Sequence, residues 1–343
     1  NVRGLQTVGD NNILILVDGI ARPIDRLKVE EVESVTVLKD AAAVALYGHE
    51  GVNGAILVKT KRGEGDGHHF KAGVSHKFQF IPNTAEMLGA YDYATALNTA
   101  RLNDGILPAY TEAELEKFLD GSDPLVYPSV NWKEELFRNR AHETDAFVSA
   151  YGGTDKVHYY TQVDYTDARG LYRTGGFDGA DSQLKYSKAN IRANVDFRVT
   201  KTTRVRTNIF ALLMETAGAP GLSSDEVWSY IYSIPSISSP IITEGGIWGG
   251  RPAYGGLNPL ARVQGSGTSK THQHQIWVDA TLEQDLDIIA KGLKFYAGGS
   301  FDNAASTLES RTRQPRYGWN YYDASGNLAE EVQGTIESKL NFN

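Results

Sequence analysis

Thirteen consecutive residues, SKANIRANVDFRV at 187–199, alternate without a break. Ser187, Ala189, Ile191, Ala193, Val195, Phe197 and Val199 fall on one face, and Lys188, Asn190, Arg192, Asn194, Asp196 and Arg198 on the other. Side chains of a strand point alternately to its two faces, so a run with this period is an extended strand with one apolar and one polar side. The same division recurs in VHYYTQVDYT, where Val157, Tyr159, Val163 and Tyr165 oppose His158, Tyr160, Gln162 and Asp164, in HQHQIWVDATLE at 272–283, and in LKFYAGGSF at 293–301. It returns in the last segment, where Val332, Ile336, Leu340 and Phe342 oppose Glu331, Gln333, Glu337 and Lys339. Strands in soluble sheets commonly run about five or six residues, whereas a tilted strand crossing a bilayer needs roughly 9 to 11. Length therefore admits a transmembrane barrel with the Ile191 face toward lipid and the Arg192 face toward a wet lumen, since a lipid-facing charge costs about 2–4 kcal/mol at midplane. A soluble sandwich shows the same alternation, and periodicity alone leaves both open.

Residues 11–60 read differently, as a compact mixed unit. NNILILVDG places the apolar run Ile13 to Val17 before a turn at Asp18 and Gly19, and SVTVLK at 34–39 is a second strand. Asp40 is placed to cap a two-turn helix, AAAVALY, which Gly48 ends. Gly48, Gly51 and Gly54 then form a turn before the strand AILVK at 55–59. A phosphate site is disfavoured by the order of these parts, because a nucleotide fingerprint puts its glycines before the helix whose amides hold the anion.

The intervening segments contain helices. TAEMLGAYDYATALNTARLN at 84–103 is one, TEAELEKFL at 111–119 opens with the capping pair Thr111 and Glu114, and NWKEELF repeats that pair with Asn131 and Glu134. From Ala219 to Thr271 no period is sustained, and an excursion of this length suits a lid or ligand-facing loop. Within it, GGIWGGRPAYGG spaces Trp248, Arg251 and Tyr254 with glycines: aromatic faces able to stack on sugars or peptide side chains, and a guanidinium able to pair with carboxylate.

Several chemistries find no support. The chain has no Cys, which excludes disulfides and thiolate sites, and its formal charge of -8 argues against a general grip on nucleic acid. His272 and His274 share a strand face without a third ligand, so no metal or other cofactor is expected, and His68 and His69 read as solvated linker residues. No Ser, His and acid set or spaced carboxylate pair suggests catalysis, so no catalytic residue is assigned and an enzyme is not expected. No apolar run approaches the ~18 residues of a helical span, a test that is silent about barrels. The start at Asn1 and the unfinished strand EVQGTIESKLNFN lead to the expectation of an internal piece whose strands do not close a barrel by themselves.

NNILILVDG, VEEVESVTVLKDAAAVALYG and EGVNGAILVKTKRG, followed by YPSVNWKEELFR, AYGGTDKVHYYTQVDYTDARGLY and NIRANVDFRVT, resemble the SusC/RagA family of TonB-dependent outer-membrane transporters over nearly the whole chain. The resemblance implies a transmembrane antiparallel β-barrel, of about 22 strands in a complete member, occluded by a mixed α/β plug. Residues 1–63 would be the C-terminal part of the plug, and 64–343 roughly the first eight barrel strands with long loops, including 219–271. It implies nutrient import without catalysis, a SusD-like lipoprotein lid, and a TonB complex engaging a segment outside this chain. The remaining barrel segment, outer-membrane lipid and an oligosaccharide or peptide ligand complete the implied partners. Asp18, Gly19, Asp40, Gly48, Gly51 and Gly54 become plug turns and caps, and Trp248, Arg251 and Tyr254 candidate ligand or lid contacts. His49 and Glu50 depart from the family's small residue and Arg. A mainly signalling receptor, or a soluble β-rich carbohydrate-binding protein, are the competing readings.

Overall fold

The computed structural model describes residues 12–39, 41–81, 84–173 and 182–334, and the backbone of 337–342. The first unit is a four-stranded sheet in the order β2-β1-β4-β3, from β1 (Leu14–Val17), β2 (Ile20–Ala21), β3 (Val32–Leu38) and β4 (Ala55–Thr60), with helix α1 (Ala41–Tyr47) between β3 and β4. β1 and β4 run parallel, and β3 lies antiparallel to β4. Asp18 and Gly19 turn β1 into β2 with φ of 51° and 90°, the left-handed pair that an Asp-Gly hairpin turn adopts. The glycine turn after α1 opens with a 3-10 turn, Gly48–Gly51. Asp40 lies outside the described residues.

After the crossing at Gly63 the chain enters β5 (Gly67–Gln79), then passes through helices α2 (Ala90–Asn103), α3 (Glu112–Asp120) and α4 (Trp132–Leu136). α2 starts six residues later than the sequence pattern suggested. Thr111 and Glu114 form the reciprocal capping box on α3, while Asn131 caps α4 in one direction only, accepting from the Glu134 amide. The wall continues through β6 (Ala141–Gly153), β7 (Val157–Arg169), β8 (Lys185–Arg198) and β9 (Thr203–Gly218). Helix α5 (Ser224–Ser233), the short strand β10 (Trp248–Gly249) and helix α6 (Pro259–Gln264) precede β11 (Gly267–Asp285) and β12 (Lys294–Gln314). The excursion after β9 therefore ends at 266, and the residues up to Thr271 already belong to β11. β13 (Tyr317–Tyr322), β14 (Leu328–Gln333) and β15 (Glu337–Phe342) complete the chain.

β5 to β9, β11, β12 and β15 form one antiparallel sheet of eight strands, with β5 and β15 at its edges. It is open, a partial barrel wall. Connections 154–156, 199–202 and 286–293 are short and lie at the end where the first unit enters, and those at the other end, 80–140, 170–184, 219–266 and 315–336, are longer. Short periplasmic turns and long extracellular loops are the asymmetry of outer-membrane barrels.

The wall is apolar outside and polar inside. Ile191 is 50% exposed and Leu213 65%, whereas Arg192 is 2% exposed and Gln162, Asn190 and Asn194 are buried. A soluble sandwich would bury the opposite set. Register identifies five successive outward rows, from Val157–Phe197–Val205–Leu282–Ala297 to Val74–Ala146–Tyr165–Ala189–Leu213, that carry no charged side chain on β7 to β9. The next row, His76–Thr144–Asp167–Ser187–Glu215–His272, is polar. The five rows span about 27 Å along the strands at ~3.4 Å per residue, or about 21 Å across the bilayer after a tilt near 40°, close to the ~25 Å apolar band of such walls. Ile191→Arg is accordingly expected to cost about 2–4 kcal/mol of wall stability in lipid vesicles, measured by urea unfolding against Ile191→Leu. A cost below about 1 kcal/mol would place this row outside the hydrocarbon.

Candidate functional site: the seam between plug and wall

The first unit sits against the inward face of the wall, and the segment from Arg22 to Glu31, with Thr60 to Arg62, makes the contact. β2 delivers Arg22 to the wall, where Nη1 and Nη2 donate to the two carboxylate oxygens of Asp279 at 2.8 and 2.6 Å and Nε donates to Asp302 at 2.9 Å. Its guanidinium lies 4.9 Å from the centroid of the Trp277 ring, itself stacked on Phe210 at 4.3 Å. Such a two-carboxylate fork over an aromatic face is a geometry that Arg holds and Lys does not.

Further along, the backbone carbonyl of Arg26 accepts from Lys188 Nζ at 3.0 Å, and Lys28 pairs with Asp145 and donates to Thr166 Oγ1 at 2.7 Å. Glu31 accepts from Arg192 Nε at 2.7 Å, with both side chains almost wholly buried, and the guanidinium also rests 4.9 Å from the Phe210 ring. Tyr160 donates to the Glu30 carbonyl at 3.2 Å. At the end of β4, Asp18 accepts from the Thr60 amide and hydroxyl at 2.9 and 2.6 Å. Thr60 Oγ1 in turn accepts from Asn194 Nδ2 at 2.8 Å. The Asp-Gly turn is thus tied through Thr60 to the wall. Arg62 follows, paired with Asp196 and Asn208.

The seam is largely polar, with Leu27 packed on the apolar Phe210, Leu212 and Trp277 between its ion pairs, and it is incompletely filled. A cavity of about 320 Å³ lies between Glu30, Lys61, Arg62 and the wall residues Lys71, Tyr160 and Gln162. A second, of about 390 Å³, lies between Lys28 and Glu30 and the wall residues Asp145, Phe147 and Asp164. Both carboxylate oxygens of Asp164, Nε2 of Gln162, Oδ1 of Asn190 and Oε1 of Glu31 are buried without a protein partner among the described residues. Buried polar atoms of this kind are met by ordered water. An interface of ion pairs, cavities and hydrated polar atoms separates with less loss than a dry apolar core, because each half regains hydration when exposed.

Sequence reasoning placed Arg192 and Asp196 on the inward face, and both touch the first unit there. It did not single out Arg22, Lys28, Glu30 or Glu31. The signal available was a dense run of charge, ARPIDRLKVEE, between two strands of a small unit. The glycines of the plug divide by role: Gly48 and Gly54 have φ of 60° and 90°, and a Cβ at Gly51 would lie 2.5 Å from the Ala43 carbonyl oxygen of α1. His49 and Glu50 are exposed on the 3-10 turn.

At the opposite end the long connections pack together as a folded cap. Val130, Trp132, Leu136 and Phe137 from the loop after β5, Tyr172 after β7, and Val227, Ile231, Trp248 and Val263 after β9 share one buried apolar cluster. Trp248 is 3% exposed, its ring packed within this cluster. Its flanking glycine allows close approach: a Cβ at Gly249 would fall 1.8 Å from the Pro240 carbonyl oxygen. Arg251 Nη2 donates to the Val126 carbonyl at 3.2 Å, and Tyr254 is half-buried against the same cluster. His272 and His274 lie exposed on the outward face, with His272 Nδ1 3.2 Å from Glu215. His68 Nδ1 is 2.7 Å from the Tyr159 hydroxyl, and His69 stacks on Tyr151 at 5.2 Å.

Residues 1–55 match the family model described as TonB-dependent Receptor Plug Domain. The TonB-dependent receptor P26 of Formosa agariphila is 27% identical over 275 residues, covering 76% of this chain and 25% of that protein. The TonB-dependent receptor SusC of Bacteroides thetaiotaomicron is 29% identical over 200 residues, covering 55% of this chain and 18% of SusC. The chain thus spans about a quarter or less of the length of these relatives. Among solved structures, the RagAB peptide importer in its closed-closed state matches with a TM-score of 0.65 at 18% identity, covering 88% of this chain and 36% of that one. The plug-model match over residues 1–55 and these relatives support a SusC-like TonB-dependent receptor of the outer membrane, and the RagAB likeness supports its plug-and-wall fold.

Proposed function

We propose that the chain serves import of a nutrient oligomer, an oligosaccharide or an oligopeptide, across the outer membrane, driven through TonB. A SusD-like surface lipoprotein acts as the lid over the cap. The observation that carries this reading is the seam: a plug held across the inward face of the wall by Arg22 with Asp279 and Asp302, and by Glu31 with Arg192. A plug meant to stay would be better fixed by apolar packing, whereas paired charges hold position yet part into water at modest net cost. In the import cycle the plug blocks the lumen while these pairs are made. A pull from the periplasmic end breaks them and opens a path lined by Lys71, Gln162, Arg192 and Asn194. The likeness to a structure described as a peptide importer supports a nutrient cargo. Arg251 and Tyr254, at the margin of the cap core, are the side chains of the 219–271 segment that remain candidates for ligand or lid contact, with Trp248 supporting them from beneath.

Locking the seam tests the proposal. Thr60→Cys with Asn194→Cys joins two side chains that already touch across it, in a chain with no other cysteine. With the bridge confirmed by mass, uptake of labelled oligomer by cells is expected to fall to background and to return on reduction. Undiminished uptake by the oxidised protein would show that the plug does not part from the wall at this point.

A further inference from the structure

The seam is unequal across its width. Toward β9, β11 and β12 the plug is held closely, by the Arg22 fork and by Leu27 on Phe210 and Trp277. Toward β5, β6 and β7 lie the two cavities, of about 320 and 390 Å³, both in the size range of small-ligand sites. They are neighbours along the strands. Glu30 and Phe147 line both; the larger extends past Ser75 and Asp145 toward the long-loop end, and the smaller past Ser149 and Tyr151 toward the other. Phe147 reaches this place because its cross-strand partner is Gly73, where a Cβ would lie 2.4 Å from the ring. The exposed Lys71 ammonium lies 5.8 Å from the ring centroid, a contact with water alongside it that another ring can displace at small cost. Each chamber also holds buried polar atoms without a hydrogen-bond partner among the described residues. In the smaller it is Nε2 of Gln162, a residue 1% exposed, and in the larger both carboxylate oxygens of Asp164, 3% exposed.

We propose that the two chambers form one binding groove for a neutral oligosaccharide, entered from the long-loop end, with a sugar ring of the chain laid on Phe147. Asp164 requires donors on both of its oxygens, and the Gln162 amide two residues away on the same face requires an acceptor. Neighbouring hydroxyls of one sugar ring donate and accept within a few ångströms, whereas a peptide backbone presents its amides singly. A ligand hydroxyl also reproduces the hydrogen bonds of the water it displaces, so emptying the chambers of water costs little. An acidic oligomer is disfavoured by charge: Glu30, Glu33 and Glu64 line the plug side of the smaller chamber. The plug cations beside them are engaged, Lys61 with the Glu30 carbonyl at 2.6 Å and Arg62 with Asp196. The inference rests on the import reading of the seam and narrows its cargo.

The test applies the full-length transporter in detergent to an array of neutral oligosaccharides, acidic oligosaccharides and short peptides. Binding is expected to be strongest for neutral oligosaccharides. For the one bound most tightly, Phe147→Leu should weaken affinity by about tenfold, the loss of one ring contact, and Asp164→Leu by about tenfold or more. Ser75→Trp fills the larger chamber from an exposed position and removes no contact, so it should reduce binding most and serves where the other variants do not assemble. Ser306→Trp, on the inward side of β12 and away from both chambers, should leave binding unchanged. Strongest binding of peptides or acidic oligosaccharides, no binding at all, full affinity in assembled Ser75→Trp, or an equal loss in Ser306→Trp would each overturn the groove. Uptake of the same oligosaccharide by cells separates this from the import reading. Uptake with an affinity indifferent to the groove variants keeps import and removes the groove, whereas groove-dependent binding without uptake keeps the groove and removes import.

Discussion

Glu31→Ala is expected to weaken the hold of the plug on the wall by about 3–5 kcal/mol, because it leaves the Arg192 guanidinium buried without its carboxylate. Arg192 is 2% exposed with its guanidinium against the Phe210 ring, so little water reaches it to replace the lost partner. Asn190, which the plug covers, is a suitable reporter: Asn190→Cys reacts with a water-soluble maleimide only when the seam opens. In the Glu31→Ala background its modification should quicken by about 100-fold or more, since each 1.4 kcal/mol is a factor of ten. Removing the stranded charge as well, with Glu31→Ala and Arg192→Met together, is expected to restore most of the protection, as replacing both members of a buried pair is often neutral. An unchanged rate in the single variant would mean that Arg22 with Asp279 and Asp302 holds the plug without help. Similar rates in the single and double variants would deny the penalty its stated cause.

What the sequence made legible was the wall, and the reason is physical. Alternation is a property of each strand by itself, so the division of Ile191 from Arg192 needs no knowledge of neighbours, and its agreement with the observed exposure follows from the two solvents the wall separates. The plug turn at Asp18 and Gly19 was legible for a similar reason, since an Asp-Gly pair specifies its own dihedrals. The seam was not. Arg22 meets Asp279 and Asp302 across more than 250 residues, and no local period connects an Arg before a proline with two acids on separate strands. Likewise the glycines around Trp248 suggested an open loop when read alone, because close approach of Gly249 to Pro240 is a tertiary fact. The two apolar surfaces of the molecule also carry opposite meanings that composition cannot separate: those of the wall face outward, and those of the cap form a core.

That core supplies the second large effect. Trp248→Ala is expected to destabilise the cap by about 3–5 kcal/mol, the range for removing a buried aromatic side chain. The indole is enclosed by a cluster that draws on α4, α5 and α6, and so on two separate loops. Collapse around the deletion would have to move all three helices, and the close contact between Gly249 and Pro240 leaves β10 little freedom to shift inward. Tyr254→Ala, at the margin of the same cluster and half-exposed, should cost about 1–2 kcal/mol, because less apolar surface leaves water there. Limited proteolysis of the assembled protein reads the difference: cleavage within 219–266 should accelerate strongly for Trp248→Ala and slightly for Tyr254→Ala. Meanwhile the maleimide reactivity of Asn190→Cys beneath the plug should stay at the wild-type rate in both. Because the cap and the seam share no side chain in the described contacts, a change in both readouts would require a coupling between them that passes through the wall itself. Loss of ligand binding in Trp248→Ala with cleavage unchanged would return that residue to the ligand-facing role that its burial argues against.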